Sequence, residues 1–164
     1  MNGFSVKKLE VSLALLLAFV PLILRIITGY WDKSVSDYAY SNANNVLCCL
    51  LTISSVLFVY NSAYNNKHWY NTILGLSLLG VALFPNRDFP IIHYVFASIF
   101  FVGSIATTSL SSSIFLKNTK YVLSAIISIA LILHFIFNLF SLLVAEWIGI
   151  IPISFHFIVK SLKN

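Results

Sequence analysis

The chain has 164 residues, of which 59% are hydrophobic and 9% charged, with a formal net charge of +5 and a mean hydropathy of +0.92. A water-soluble domain carries roughly 25% charged residues, so this composition excludes an ordinary soluble fold and predicts an all-α polytopic membrane protein. The modest positive charge is read as a topology signal rather than as a nucleic-acid footprint, and the lipid bilayer is the expected partner.

A spanning helix needs roughly 17–25 apolar residues, and six candidates follow along one domain covering residues 1–164. The first, Leu9 to Gly29, follows Lys7 and Lys8. It is long enough to span, contains Arg25 and lacks a small-x-small cleavage site, so it is expected to be a retained helix. A polar stretch from Trp31 to Asn44 comes next and is the longest connection. The second span, Asn45 to Ala63, holds adjacent Cys48 and Cys49, which point about 100° apart on a helix and read as packing residues. The third, Tyr70 to Phe84, carries Gly75, Ser77, Gly80 and Ala82, small residues that let helices approach closely and offer a face for oligomerisation. Pro85 and Pro90 bracket a turn containing Arg87 and Asp88. The fourth span is Ile91 to Leu110, the fifth Tyr121 to Ala145 and the sixth Trp147 to Val159. Pro152 makes a kinked or partly inserted sixth segment the alternative. Trp31, Trp69 and Trp147 fall near span ends, as an aromatic belt requires.

Six spans sort the basic residues unevenly. Lys7, Lys8, Lys67, Lys117, Lys120, Lys160 and Lys163 fall on one side, against Arg25, Lys33 and Arg87 on the other. The positive-inside rule then predicts a multi-pass protein of the plasma (inner) membrane with both termini cytoplasmic. The same topology puts Asp32, Asp37, Asp88 and Glu146 outside, with Glu10 inside.

Polar side chains recur at helical steps. His93, Ala97, Ser104 and Thr108 share one face of the fourth span, and Asn45, Cys48, Thr52 and Ser55 one face of the second. Ionisable residues at the edge of a span are costly and suggest a site. Arg25, Asp37, His93 and Glu146, with Glu146 placed just before the sixth helix, fall at similar depth near the outer surface. Asp37, His93 and Glu146 are the candidate acid–base or catalytic groups, and Arg25, Ser34, Ser36, Tyr38 and Asp88 the candidate binding groups around one vestibule. The alternative is an ion-pair network tying the loop to the helices. His134 and His156 lie deeper, each about 15 Å from the outer side, and with His93 they form the candidate metal set, zinc being the natural ion for imidazoles. His68, beside Trp69, receives no role.

The stretches SVSDYAYS at Ser34–Ser41, GLSLLGVALFP at Gly75–Pro85, IHYVFASIFF at Ile92–Phe101 and SFHFIVK at Ser154–Lys160, with Glu146 before the last, run in an order found elsewhere. The chain resembles a family of small bacterial six-helix membrane proteins with an SxSDY loop and a GVALFP helix; Ala39 stands where that family has a second aromatic. The resemblance implies a fold and no established activity. A more distant layout resembles alkaline-ceramidase-like membrane hydrolases, which use a Ser, an Asp and three His around zinc. It implies Ser34 or Ser36, Asp37 and His93 in those parts, although His156 is followed at the fourth position by Lys160 rather than by a histidine. Three functions are carried forward: a non-enzymatic binding, sensing or assembly component with an outward polar vestibule, an intramembrane lipid hydrolase, and a pore lined by the serine and threonine stripes.

Overall fold

A computed structural model describes residues 3–64, 69–110 and 118–163. Lys67, His68 and Lys117 lie outside the described residues. Among those described there are six α-helices: α1 Gly3–Thr28, α2 Asn44–Tyr64, α3 Tyr70–Leu83, α4 Pro90–Ser109, α5 Thr119–Phe135 and α6 Leu142–Lys163. A 3-10 turn, Ser36–Tyr40, sits in the opening loop. Four helices are long and apolar enough to cross a membrane, within Lys7–Thr28, Asn44–Ala63, Pro90–Ser109 and Leu142–Leu162, while α3 and α5 are shorter apolar helices.

Each helix packs on its chain neighbours and α6 closes back onto α1, giving a six-helix ring with alternating direction. The opening loop, the α3–α4 turn and the α5–α6 turn therefore share one end, here the loop end. Helix boundaries follow local chemistry. Gly29 takes φ 84° and donates its N–H to the Arg25 carbonyl at 2.9 Å, a left-handed stop for α1. Ser41 Oγ accepts the Ala43 N–H at 3.0 Å at the start of α2. Pro90 opens α4, where its missing N–H has no helical partner to lose.

The last two spans differ from expectation. The apolar run through Ala145 is broken into α5 and α6 by a turn at residues 136–141. Asn138 adopts φ 50° there, a left-handed conformation that Asn tolerates better than most residues. Ser141 Oγ then accepts the Val144 N–H at 3.4 Å, starting α6 five residues earlier than Trp147. Glu146 is thus inside α6 rather than before it. The helix runs on through Pro152 without ending, so the sixth segment is a full-length helix of 22 residues.

Three aromatics fill the bundle centre. Phe58 meets Phe100 and Phe157 edge to face, with centroids 5.5 and 5.0 Å apart, a geometry worth about 0.5–1.5 kcal/mol per pair beyond burial. The glycines of α3 serve contacts within the chain. A Cβ on Gly75 would lie 2.8 Å from the Ser55 carbonyl of α2, and one on Gly80 would strike the Phe96 ring of α4. The α4 stripe of His93, Ser104 and Thr108 is buried, as its spacing predicts. On α2 the inward face includes Leu47, Leu51, Ser54, Phe58 and Asn61; of the expected stripe Ser55 is buried and Cys48 half-buried, while Asn45 and Thr52 are exposed, because packing centres on a neighbouring stripe of the same helix.

At the end opposite the loops, buried Asn61 joins three helices. Its amide donates to Glu10 Oε1 at 2.7 Å, and its carbonyl accepts from the Asn71 amide at 2.8 Å. Removing one member of a buried network leaves the others unsatisfied. Asn61→Ala is expected to lower stability by about 2–3 kcal/mol, whereas Thr52→Ala, on an exposed position, should change it little. Thermal or denaturant unfolding in matched detergent checks both; equal curves for Asn61→Ala and the native chain would contradict the network's role.

Candidate functional site

The opening loop is held by its own backbone and by α6. Leu143, in the first turn of α6, donates its N–H to the Lys33 carbonyl at 2.7 Å. Three residues on, Glu146 reaches back, and its Oε2 accepts the Val35 N–H at 2.6 Å. The loop thus accepts one hydrogen bond from the start of α6 and donates another to it. Trp147 Nε1 donates to the Ala18 carbonyl at 2.9 Å and fixes the same turn of α6 to α1.

Within the loop, Ser34, Ser36 and Asp37 form one buried chain. Ser34 Oγ donates to Asp37 Oδ2 at 2.9 Å and accepts the Asp37 N–H at 3.1 Å. Because its single proton points to the carboxylate, the 3.0 Å contact with Ser36 is donated by Ser36. Asp37 Oδ1 receives the Arg87 guanidinium at 3.1 Å and the Asn86 amide at 3.4 Å, which ties the opening loop to the α3–α4 turn. The Arg87 side chain is 60% exposed, so the ion pair adds little stability by itself. Tyr40 strengthens the joint: its hydroxyl accepts the Arg87 N–H at 2.7 Å and the Asp88 N–H at 3.2 Å, and Arg87 stacks on its ring. Tyr38 is fully buried and clasps the loop, donating to the Tyr30 carbonyl at 3.0 Å and accepting the Asp32 N–H at 3.2 Å.

His93 and Glu146 face common space. His93, on the first turn of α4, is buried, and its Nδ1 is 2.8 Å from the Phe84 carbonyl. A carbonyl only accepts, so Nδ1 carries the proton and Nε2 of the neutral ring is an acceptor. Both residues line a cavity of about 340 Å³ between α4, α5 and the start of α6. Its walls are apolar, including Phe101, Val102, Leu131 and Phe135. It opens sideways: Tyr94, Val102, Ile132 and Phe135 on its rim are exposed. Behind it lies a smaller cavity of about 30 Å³ lined by Ser36, His93 and Glu146 together with apolar residues. Asp37 lies within electrostatic reach of both His93 and Glu146. It borders neither cavity and shares no hydrogen bond with them among the described residues.

The predicted residues thus separate into groups. Ser34, Ser36 and Asp37 hold the loop, with Tyr38 beside them, and His93 and Glu146 head the groove. Arg25 stacks over Trp31, 5.7 Å from the ring, and Trp31 meets Trp147. Asp88 is exposed, and its carboxylate accepts from the Tyr40 hydroxyl at 3.5 Å. The three histidines do not converge. His134 is in the last turn of α5, where Nδ1 closes the following turn through the Phe140 carbonyl at 2.8 Å. His156 lies fourteen residues into α6, about 21 Å from its start, near Asn71 and Lys160 toward the other end. Among the described residues no three His, Cys, Asp or Glu side chains are placed to hold a metal ion, so the donor set does not fit the expected zinc. Tyr40, Asn86 and Arg87 join the site although spacing marks none of them as a site residue; the signal for them is that the opening loop and the Arg87 turn fall at the same end of the bundle.

No curated protein and no solved structure matches the chain. Residues 19–161 match the model of a family described as "Family of unknown function (DUF7103)", and the chain belongs to that family. The match agrees with the expected membership of a family without an assigned activity.

The strap predicts a graded response to substitution. Glu146→Ala removes the acceptor of the Val35 N–H, whereas Glu146→Gln retains one. Hydrogen exchange over residues 33–38 is expected to accelerate about tenfold in the alanine variant and far less in the glutamine variant. Unchanged exchange in Glu146→Ala would show that the loop is held by other contacts.

Proposed function

We propose that this member of the DUF7103 family is a multi-pass membrane protein that binds a single-chain membrane amphiphile in the groove between α4, α5 and α6. The observation that carries the reading is the groove itself: apolar walls, a sideways opening, and two polar side chains, His93 and Glu146, at its loop end. Tyr94 to Val102 marks about 12 Å of its length along α4. A cavity of about 340 Å³ drawn out over that length has the girth of one hydrocarbon chain. A lateral mouth lined by exposed apolar side chains suits a ligand that arrives from the lipid phase.

The location belongs to the same proposal. Six apolar helices, alternating in direction, return both termini to one side. The excess of lysine there supports a cytoplasmic placement in the plasma membrane, the inner membrane of a bacterial cell on the resemblance. The loop end then faces outward, and the outward vestibule becomes the polar head of the groove.

Binding is favoured over the other two readings by particular contacts. For a pore, the bundle centre is closed by Phe58, Phe100 and Phe157. For a hydrolase, Ser36 borders the inner cavity with His93 and Glu146, but its proton is engaged by Ser34 rather than by the imidazole. Labelling by a fluorophosphonate would reveal an activated serine and would favour hydrolysis.

Two measurements test the proposal. Reporter fusions at both termini should read the same side of the membrane, and opposite readings would refute the even number of spans. In nanodiscs, a photoactivatable long-chain alcohol should crosslink to α4 and α5. Ala97→Phe, which fills the groove beneath His93, should reduce that labelling about fivefold or more, from the loss of a fitted apolar pocket. Equal labelling of the two proteins would refute the groove as the site.

A further inference from the structure

Resting on the groove reading above, we infer that its polar end selects a hydrogen-bond donor: the ligand's head group is an ammonium, or a hydroxyl, rather than a carboxylate or phosphate. His93 Nδ1–H is committed to the Phe84 carbonyl, so the imidazole presents Nε2 as an acceptor. Glu146 commits Oε2 to the Val35 N–H, and Oε1, its other oxygen, also only accepts when the carboxyl is ionised. Two acceptor-bearing side chains, one from α4 and one from α6, thus line one end of a cavity whose remaining walls are nearly all apolar.

Donors that would suit an anion are engaged elsewhere. Arg87 is held by Asp37 and Tyr40, and Arg25 by Trp31; neither borders the groove. The first turn of α6 would ordinarily attract an anion through its free N–H groups. Here Leu143 donates to Lys33, and Val144 and Ala145 donate to Ser141. The hydroxyls of Tyr94 and Ser98 also line the groove, and they can serve a head of either kind. With Glu146 ionised, an anionic head would sit against its carboxylate at low dielectric, where like charges repel strongly. An ammonium would instead neutralise it, and a hydroxyl would donate to one acceptor or the other.

Chain-matched competitors separate this inference from the reading it rests on. Dodecylammonium, dodecanol and dodecanoate share one tail, and each is titrated against the photoactivatable alcohol on the full chain in phosphatidylcholine nanodiscs. The expected order is ammonium, then alcohol, then carboxylate, with about tenfold or more between the first and last. Glu146→Gln keeps an acceptor for the Val35 N–H and should collapse that ratio to near unity while preserving labelling. Equal competition by all three, or strongest competition by dodecanoate, with labelling still sensitive to Ala97→Phe, overturns the head-group assignment and leaves the groove standing. Failure of all three to compete overturns the groove reading itself. Retention of the full ratio in Glu146→Gln overturns the role given to the carboxylate.

Discussion

The reciprocal strap between the opening loop and the start of α6 is the contact on which the loop end depends. A loop lying over an apolar bundle cannot leave its peptide groups bare, because each unsatisfied group costs on the order of 1–3 kcal/mol. The Lys33 carbonyl and the Val35 N–H are satisfied by α6, one through backbone and one through the Glu146 side chain. This fixes where the 3-10 turn can sit, and the turn fixes Ser34 and Asp37. Asp37 in turn receives Arg87, and Tyr40 receives the backbone of the same turn. The chain of contacts therefore runs from α6 through the loop to the α3–α4 connection, across the mouth of the ring.

The strap also explains why Glu146 serves two ends. Its Oε2 holds the loop and the same side chain lines the groove, so loop position and the polar end of the groove meet in a single carboxylate. His93 is arranged in the same way, with Nδ1 bonded to the Phe84 carbonyl and its side chain lining the cavity. Side chains held on one face by a backbone partner lose little rotamer freedom when a ligand arrives, which is the structural content of preorganisation. Asp37 follows a different rule: both its oxygens are engaged within the protein, which suits a brace rather than a ligand contact.

Much of this was legible in the sequence, and the misses have physical causes. Six helices follow from apolar length, and the buried stripe of His93, Ser104 and Thr108 follows from spacing. The α5–α6 break was hidden because residues 136–141 are largely apolar; only Asn138 and Ser141 mark it, and both are also common inside spans. That one boundary shifted Glu146 into a helix and moved His134 and His156 to different depths, which dispersed the expected metal set. The face of α2 was misread because hydroxyl residues line more than one stripe of that helix, and periodicity alone does not rank them. The division between Asp37 and the His93–Glu146 pair was not legible, since depth along the membrane normal places residues on a level without saying which way they turn.

The short helices carry a consequence for the surrounding lipid. At 14 and 17 residues, α3 and α5 extend only about 21 and 26 Å, less than the roughly 30 Å of an average hydrocarbon core. α5 forms one wall of the groove, while α4 and α6 beside it are of full length. On the proposed membrane placement, a bilayer meeting this mixed wall would thin locally along α5, at a fraction of a kcal/mol per ångström of mismatch. Acyl chains there would be compressed and splayed. On the proposed reading, the mouth of the groove would lie where the membrane is already deformed, and a chain leaving the lipid at that point would relieve part of the deformation.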